Sequence, residues 1–220
     1  IFSSTRGAAD QFNNLYVQPT GGGEPYKMTF FQHDAFHPRW SPDGEWISFI
    51  DNNGENGLPR LRLLETYGGR IVDVNISGRR WLNQMGKLSM TTLGSDDQPT
   101  ATRVHVIASD GKFYAPSNQY ARMPQRARVG AFHHEGSFEV ELPIGETRLI
   151  VVKGFEHVPI DQTITINAGE TAAVTVQLEK MIDMASKGWY NGSTHVHANY
   201  GGNLHNSLEN MMMMSDAEDQ

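Results

Sequence analysis

The sequence predicts a mainly β chain: propeller-type blades first, a β-sandwich next, and then the opening strand and helix of a β/α barrel. Three observations predict it. Residues 1–23 align without gaps on residues 47–69, an internal repeat at an offset of 46. From Gly86 to about Met181, apolar and polar residues alternate along short runs separated by turn signals. From Gly188, a strand-like stretch passes into a glycine-rich loop and then into apolar residues at helical spacing.

The repeat sets Ile1 on Ile47, Leu15-Tyr16-Val17 on Leu61-Arg62-Leu63, and Gly22-Gly23 on Gly68-Gly69. A period of about 40–50 residues built from short strands marks propeller blades. Between the copies lies Pro38-Arg39-Trp40-Ser41-Pro42-Asp43-Gly44-Glu45-Trp46-Ile47-Ser48-Phe49. Pro42 presets φ at the second turn position, and Gly44 tolerates a left-handed exit. These residues resemble the TolB-type, WD40-like propeller repeat, whose centre reads P-x-W-S-P-D-G-x-x-I-x-F. The resemblance covers residues 1–74, two blades at most, whereas propellers close with roughly four to eight. The chain opens at Ile1 in mid-strand and reads as a piece of a longer protein. Residues 75–85 lose the repeat and are expected to be a linker.

Residues 86–181 predict a β-sandwich. In Ser137-Phe138-Glu139-Val140-Glu141-Leu142 the apolar residues share one face and the glutamates the other. Ser109-Asp110-Gly111, Pro143-Ile144-Gly145 and Asn167-Ala168-Gly169 are turn signals between strands. Gly136–Gly154 together with Ala168-Gly169-Glu170-Thr171 resembles the carboxypeptidase-regulatory, transthyretin-like module.

Composition narrows the function classes. A net charge of −7 with scattered Lys and Arg argues against nucleic acid, whose binding relies on basic patches. The absence of cysteine excludes disulfides and thiolate metal sites. No apolar run is long enough to span a bilayer. No Gly-x-Ser-x-Gly nucleophile elbow occurs.

The chemistry concentrates at Gly192-Ser193-Thr194-His195-Val196-His197-Ala198-Asn199-Tyr200-Gly201-Gly202. On a strand, residues i and i+2 project from one face, so His195 and His197 can present both imidazoles to one ion. If this strand opens a β/α barrel, its carboxyl end faces the active site. The next element is expected to start near Asn206 as N-cap, with Glu209 three residues on. Trp189, the His pair, Tyr200-Gly201-Gly202, Leu208–Met214 and Ala217-Glu218-Asp219 resemble the CehA/McbA family of metallohydrolases, related to the PHP and amidohydrolase groups. Asp110–Pro116, Phe132–Phe138 and Lys153–Glu156 resemble the β module that precedes the hydrolase domain in such proteins. The resemblance spans residues 86–220, with residues 182–220 as the truncated start of the metallohydrolase domain.

That resemblance implies a hydrolase of amide or ester bonds in a small-molecule substrate, acting through a metal-activated water. His195 and His197 would be two of its metal ligands, and the rest would lie outside this segment. Imidazole ligands suit Zn, Mn or Fe, and a bound cation lowers the pKa of its water. No other catalytic residue is assigned. The segment alone is expected to be inactive. The propeller resemblance implies a periplasmic or extracellular setting and protein contacts through the blades. The alternative is a non-enzymatic propeller and sandwich scaffold or binding protein.

Other candidates read more simply. His133-His134-Glu135 is expected to form a turn beside Gly136 rather than a second metal site. His105 is expected to be structural, His33 and His37 to anchor loops, and His205 to be a polar residue before the helix. Met211–Met214 are expected to fill a core, and Glu218 and Asp219 to form a solvated helix end unless a complete barrel recruits them.

Overall fold

The repeat of residues becomes a repeat of strands. In the computed structural model, which describes residues 1–7, 12–54, 59–119, 121–122, 130–194, 199–200, 204–205 and 207–220, β1 (Phe2–Ser4), β2 (Asn14–Val17) and β3 (Tyr26–Lys27) form one antiparallel sheet. The second sheet is the antiparallel meander β4 (Ala35–Trp40), β5 (Trp46–Asp51), β6 (Arg60–Glu65) and β7 (Ile71–Asp73). The offset of 46 carries β1 onto residues 48–50 of β5, β2 onto residues 60–63 of β6, and β3 onto residues 72–73 of β7. Leu15, Ala35, Ile47, Phe49 and Leu64 are buried in a core common to both sheets.

Two local features hold the meander in register. Gly44, at φ 75°, closes the turn by donating its N–H to the Ser41 carbonyl at 2.9 Å. The buried Asp51 carboxylate accepts from Arg60 Nε and Nη2 and from Arg62 Nη1, each at 3.1 Å. Burial alone would raise that carboxyl; hydrogen bonding by His33, Arg60 and Arg62 outweighs it and holds the group well below the usual carboxylate range. His33, stacked on Phe31, does tie a loop to this network. His37 does not anchor a loop. It sits inside β4 at φ 52°, where the register slips between Phe36 and Arg39, so the extra residue of a β-bulge takes the strained conformation.

The sandwich is built from β8 (Met85–Leu93), β9 (Thr102–Ile107), β10 (Ala121–Arg122), β11 (Ala131–His134), β12 (Ser137–Pro143), β13 (Gly145–Val152), β14 (Ile160–Ile166) and β15 (Thr171–Gln177). One sheet runs β10-β11-β9-β13-β14, antiparallel throughout. The other runs β12-β8-β15, with β8 and β15 parallel. Phe138, Val140 and Leu142 point inward while Ser137, Glu139 and Glu141 face solvent. With Leu88, Met90, Val104 and Val106 they form a dry core between the sheets. His133 and His134 lie in β11 rather than in a turn, because the chain reverses only after them, at Glu135-Gly136.

By its contacts the chain divides into two compact units, Ile1–Arg79 with His197–Ser207 and Arg80–Val196 with Leu208–Gln220. The division at Arg79 falls inside the stretch 75–85. Among the described residues there is no closed barrel, and no helix is long and apolar enough to cross a membrane.

After a short 3₁₀ turn at Ala185–Lys187, β16 (Asn199–Tyr200) pairs with β17 (Leu204–His205) as a hairpin, and α1 (Leu208–Ala217) follows. The expected cap, Asn206, lies outside the described residues. Ala217 is the buried residue of α1, while Met212 is 66% exposed. Met211, Met213 and Met214 are half-buried, so among the described residues none of the four is fully buried. Four in a row cover every direction of a helix, and α1 engages the sandwich through its carboxyl end.

Candidate functional site

His195 and His197 lie outside the described residues, as do Val196 and Gly201–Gly202 beside them. Among the described residues no group of three or more His, Cys, Asp or Glu is arranged to hold a metal ion. The chemistry-bearing side chains that do converge lie where the carboxyl end of α1 meets the sandwich.

Strand register decides which side chains arrive there. β9 and β11 pair with His133 opposite Arg103, Phe132 opposite Val104 and His134 opposite Thr102. Alternation turns Thr102, Val104, Phe132 and His134 into the core and Arg103 and His133 outward. Glu218 covers that outward pair. Its Oε1 accepts from Arg103 Nη1 at 2.6 Å and from His133 Nε2 at 2.9 Å. Next to it, the buried Lys153 ammonium donates to the Ala101 carbonyl at 3.2 Å, the Asp216 carbonyl at 2.6 Å and Asp216 Oδ1 at 3.2 Å. All three ammonium protons thus have an acceptor, two of them main-chain carbonyls.

The helix end itself closes as a Schellman motif. Gln220 N–H donates to the Ser215 carbonyl at 2.8 Å and Asp219 N–H to the Asp216 carbonyl at 3.0 Å. Asp219 takes the left-handed position, φ 59°, where glycine is favoured. Gly154, at φ 49°, lies directly beneath. A Cβ there would stand 2.5 Å from Asp219 Cβ and 2.6 Å from the Glu218 carbonyl oxygen.

A cleft of about 200 Å³ opens beside this contact, lined by Glu156, Lys180, Trp189, Tyr190, Asn191 and Asp219 among others. Buried Glu156 organises one wall, accepting from Met184 N–H at 3.2 Å and pairing with Lys180 at 3.3 Å. Asn191 Nδ2 donates to the Asp219 carbonyl at 3.1 Å, and Trp189 and Tyr190 are exposed at the rim.

The electrostatics follow from burial. Burial would raise the Glu218 carboxyl, but the hydrogen bond from His133 and the Arg103 charge prevail and lower it. His157, with Nδ1 3.8 Å from Asp219 Oδ2, is lowered by burial and by the Lys153 and Lys180 charges against the pull of Asp219. His134 is pushed down to about 4 by burial, then by His133. It is therefore neutral near pH 7. Its Nδ1 accepts from Gly136 N–H at 3.1 Å, so Nε2 carries the proton and donates to Thr102 Oγ1 at 2.7 Å. His105, lowered chiefly by burial, bonds the Gly130 carbonyl through Nδ1 at 2.9 Å and is structural, as alternation in β9 predicts. Glu218 is not a solvated helix end: its carboxylate is ion-paired and half-buried because β9 and β11 supply the cations.

Comparison with known proteins does not name this arrangement. No family model matches the chain, and no curated protein matches it. Among solved structures, it is similar to GBS52, the minor pilin of the Gram-positive pathogen Streptococcus agalactiae, at 15% identity and a TM-score of 0.35, covering 77% of this chain and 74% of that one. It is also similar to the Bacillus anthracis TIE protein, at 16% identity and a TM-score of 0.31, covering 75% of this chain and 30% of that one. Likeness at this level carries neither fold nor function across.

Sequence reasoning missed Arg103, Lys153 and His157 as members of one cluster. One signal was present for Lys153: it continues the inward series Leu149, Val151 beyond the end of β13, and a lysine at an inward position needs acceptors.

Proposed function

We propose that this chain is a segment of a metal-dependent hydrolase of the CehA/McbA type, carrying TolB-like propeller blades, a regulatory-type β-sandwich and the start of the catalytic barrel. The observation that carries the reading is the sequence order after Gly188, His195-Val196-His197 and then Gly201-Gly202, leading to a helix. The helix α1 at Leu208–Ala217 supports it, since a barrel strand is followed by a helix. His195 and His197 would hold the ion as neutral imidazoles, a donor set that suits Zn, Mn or Fe. The remaining ligands would come from other strands of the catalytic domain.

When bound, the metal supplies a water acidic enough to attack a carbonyl near neutral pH. This chain's own part would be to supply His195 and His197 as two imidazole ligands, a spacing that on a strand puts both on one face. Substrates are small molecules with an amide or ester bond, and the propeller resemblance supports an exported, periplasmic or extracellular protein with protein contacts through the blades. The test is metal analysis of the full-length protein. Wild type should retain metal and lose hydrolase activity with chelator, and His195→Ala with His197→Ala should abolish uptake. Stoichiometric metal in the double variant would overturn the ligand assignment.

A further inference from the structure

We propose that the outward face of the sandwich at Arg103, His133, Lys153 and Gly154 is a seat that recognises the acidic carboxyl-terminal turn of α1, so that helix and sandwich are held together as one body. The proposal is independent of the hydrolase reading.

Three observations carry it. The first is charge. A helix carboxyl end bears a partial negative charge and favours cations in its last turn, yet α1 has no basic residue there and carries Asp216, Glu218 and Asp219 instead. Left alone, such an end opposes helix formation. On the seat, two of the three acids meet donors: Glu218 meets Arg103 and His133, and the Asp216 carboxylate, with its carbonyl, meets Lys153. A ten-residue helix is also too short to persist in water unaided, since helices under roughly 12–15 residues are marginal.

The second is shape. Gly154 leaves no space for a methyl group between the β13 loop and residues 218–219, so the loop is moulded to this one turn. The third is backbone conformation. Asp219 occupies a left-handed position that glycine fills more easily, and its carboxylate lies against the buried, unpartnered His157 Nδ1. An acid at that position, where glycine is the less strained choice, fits a role for its charge.

The occupant is therefore residues 208–220 of this chain, recognised as an acidic helix end. The charged and titratable groups facing it are Arg103, His105, His133, Lys153, His157 and Lys180.

Hydrogen exchange on residues 1–220 tests this with Arg103→Ala, Glu218→Gln and their combination. Each single change should speed opening of the α1 amides about tenfold, and the combination should add little beyond Glu218→Gln, because the Arg103 contact is already weakened there together with that of His133. Opening in the combination near the product of the two singles, or wild-type exchange in the singles, would overturn the proposal. So would α1 amides that exchange without protection in the wild type. If Arg103→Ala loosens β8 and β12 as well, Glu218→Gln, which alters only the helix, must loosen α1 by itself for the seat to stand.

Discussion

Replacing Lys153 by methionine isolates the buried cation's contribution to the contact between helix and sandwich. The ammonium is buried and donates to the Ala101 and Asp216 carbonyls and to Asp216 Oδ1. The carboxylate partner is 67% exposed, so the ion pair itself contributes within the ~0–1 kcal/mol of a surface pair. The Ala101 carbonyl decides the outcome. Methionine fills the same volume but donates nothing; the Asp216 carbonyl keeps the Asp219 N–H, while the Ala101 carbonyl loses its Lys153 donor at a cost of ~1–3 kcal/mol. Loss of a cation at the helix carboxyl end adds ~0.3–1 kcal/mol. Relief of the buried ammonium's own desolvation offsets part of this, leaving a destabilisation of ~1–2 kcal/mol. In urea unfolding followed by circular dichroism, the midpoint should fall by ~0.5–1 M at a slope of ~2 kcal/mol/M. Lys87→Met is the matched control, because Lys87 and Glu139 form an exposed pair at 3.1 Å, and its midpoint should stay close to wild type. A Lys153→Met midpoint within ~0.2 M of wild type would show that water satisfies the Ala101 carbonyl and that the lysine caps nothing.

Acidification should destabilise the sandwich in two steps. His134 has a folded value of about 4 against an ordinary 6.5, so the unfolded state binds more protons between them, and stability falls as pH drops through that window by about 3 kcal/mol. His105 and His157 act in the same direction, so His134→Gln should flatten only part of the slope, read as urea midpoints from pH 7 to 4. Below the ordinary glutamate range a second loss should set in as Glu218, whose value is lowered, takes up its proton; Glu218→Gln should remove that step and leave the first. Gly154→Ala should cost at least ~1–2 kcal/mol from the left-handed backbone alone, and its clash with residues 218–219 should show as faster exchange in α1. In the first unit, Asp51→Asn should cost ~2–4 kcal/mol, below the value for a fully buried network because Arg60 is partly exposed, and thermal unfolding of that unit should shift down accordingly.

Where a segment has one wet face, the sequence showed its structure directly. Phe138, Val140 and Leu142 alternate with glutamates, and β12 follows them residue for residue. The 46-residue offset became a matched succession of strands but not a matched register: Ser3 pairs Leu15, whereas Phe49 pairs Arg62, so Leu15 is buried while Leu61 is exposed and Leu64 takes the core place in β6. The same reasoning fails where both faces are covered. β11 reads Ala-Phe-His-His with no alternation, since Phe132 and His134 enter the core while His133 lies under Glu218, and all four residues are buried. A pattern that depends on one exposed face cannot register a second burial supplied from 85 residues away.

The helix shows the complementary failure. Its acids looked solvated because nothing within a turn of them is basic, and local charge is all that a sequence window contains. The cations that hold them arrive from β9, β11 and the end of β13, positions separated by up to 115 residues. What a sequence does reveal is the local mismatch: three acids at a helix carboxyl end with no basic residue beside them, and a lysine set on the inward side of a strand. Each is unfavourable alone, and Asp216 and Lys153 relieve one another in part. Unfavourable local choices that cancel in pairs imply a contact between the segments that bear them, and on that ground Lys153 and Asp216 could have been joined from the sequence.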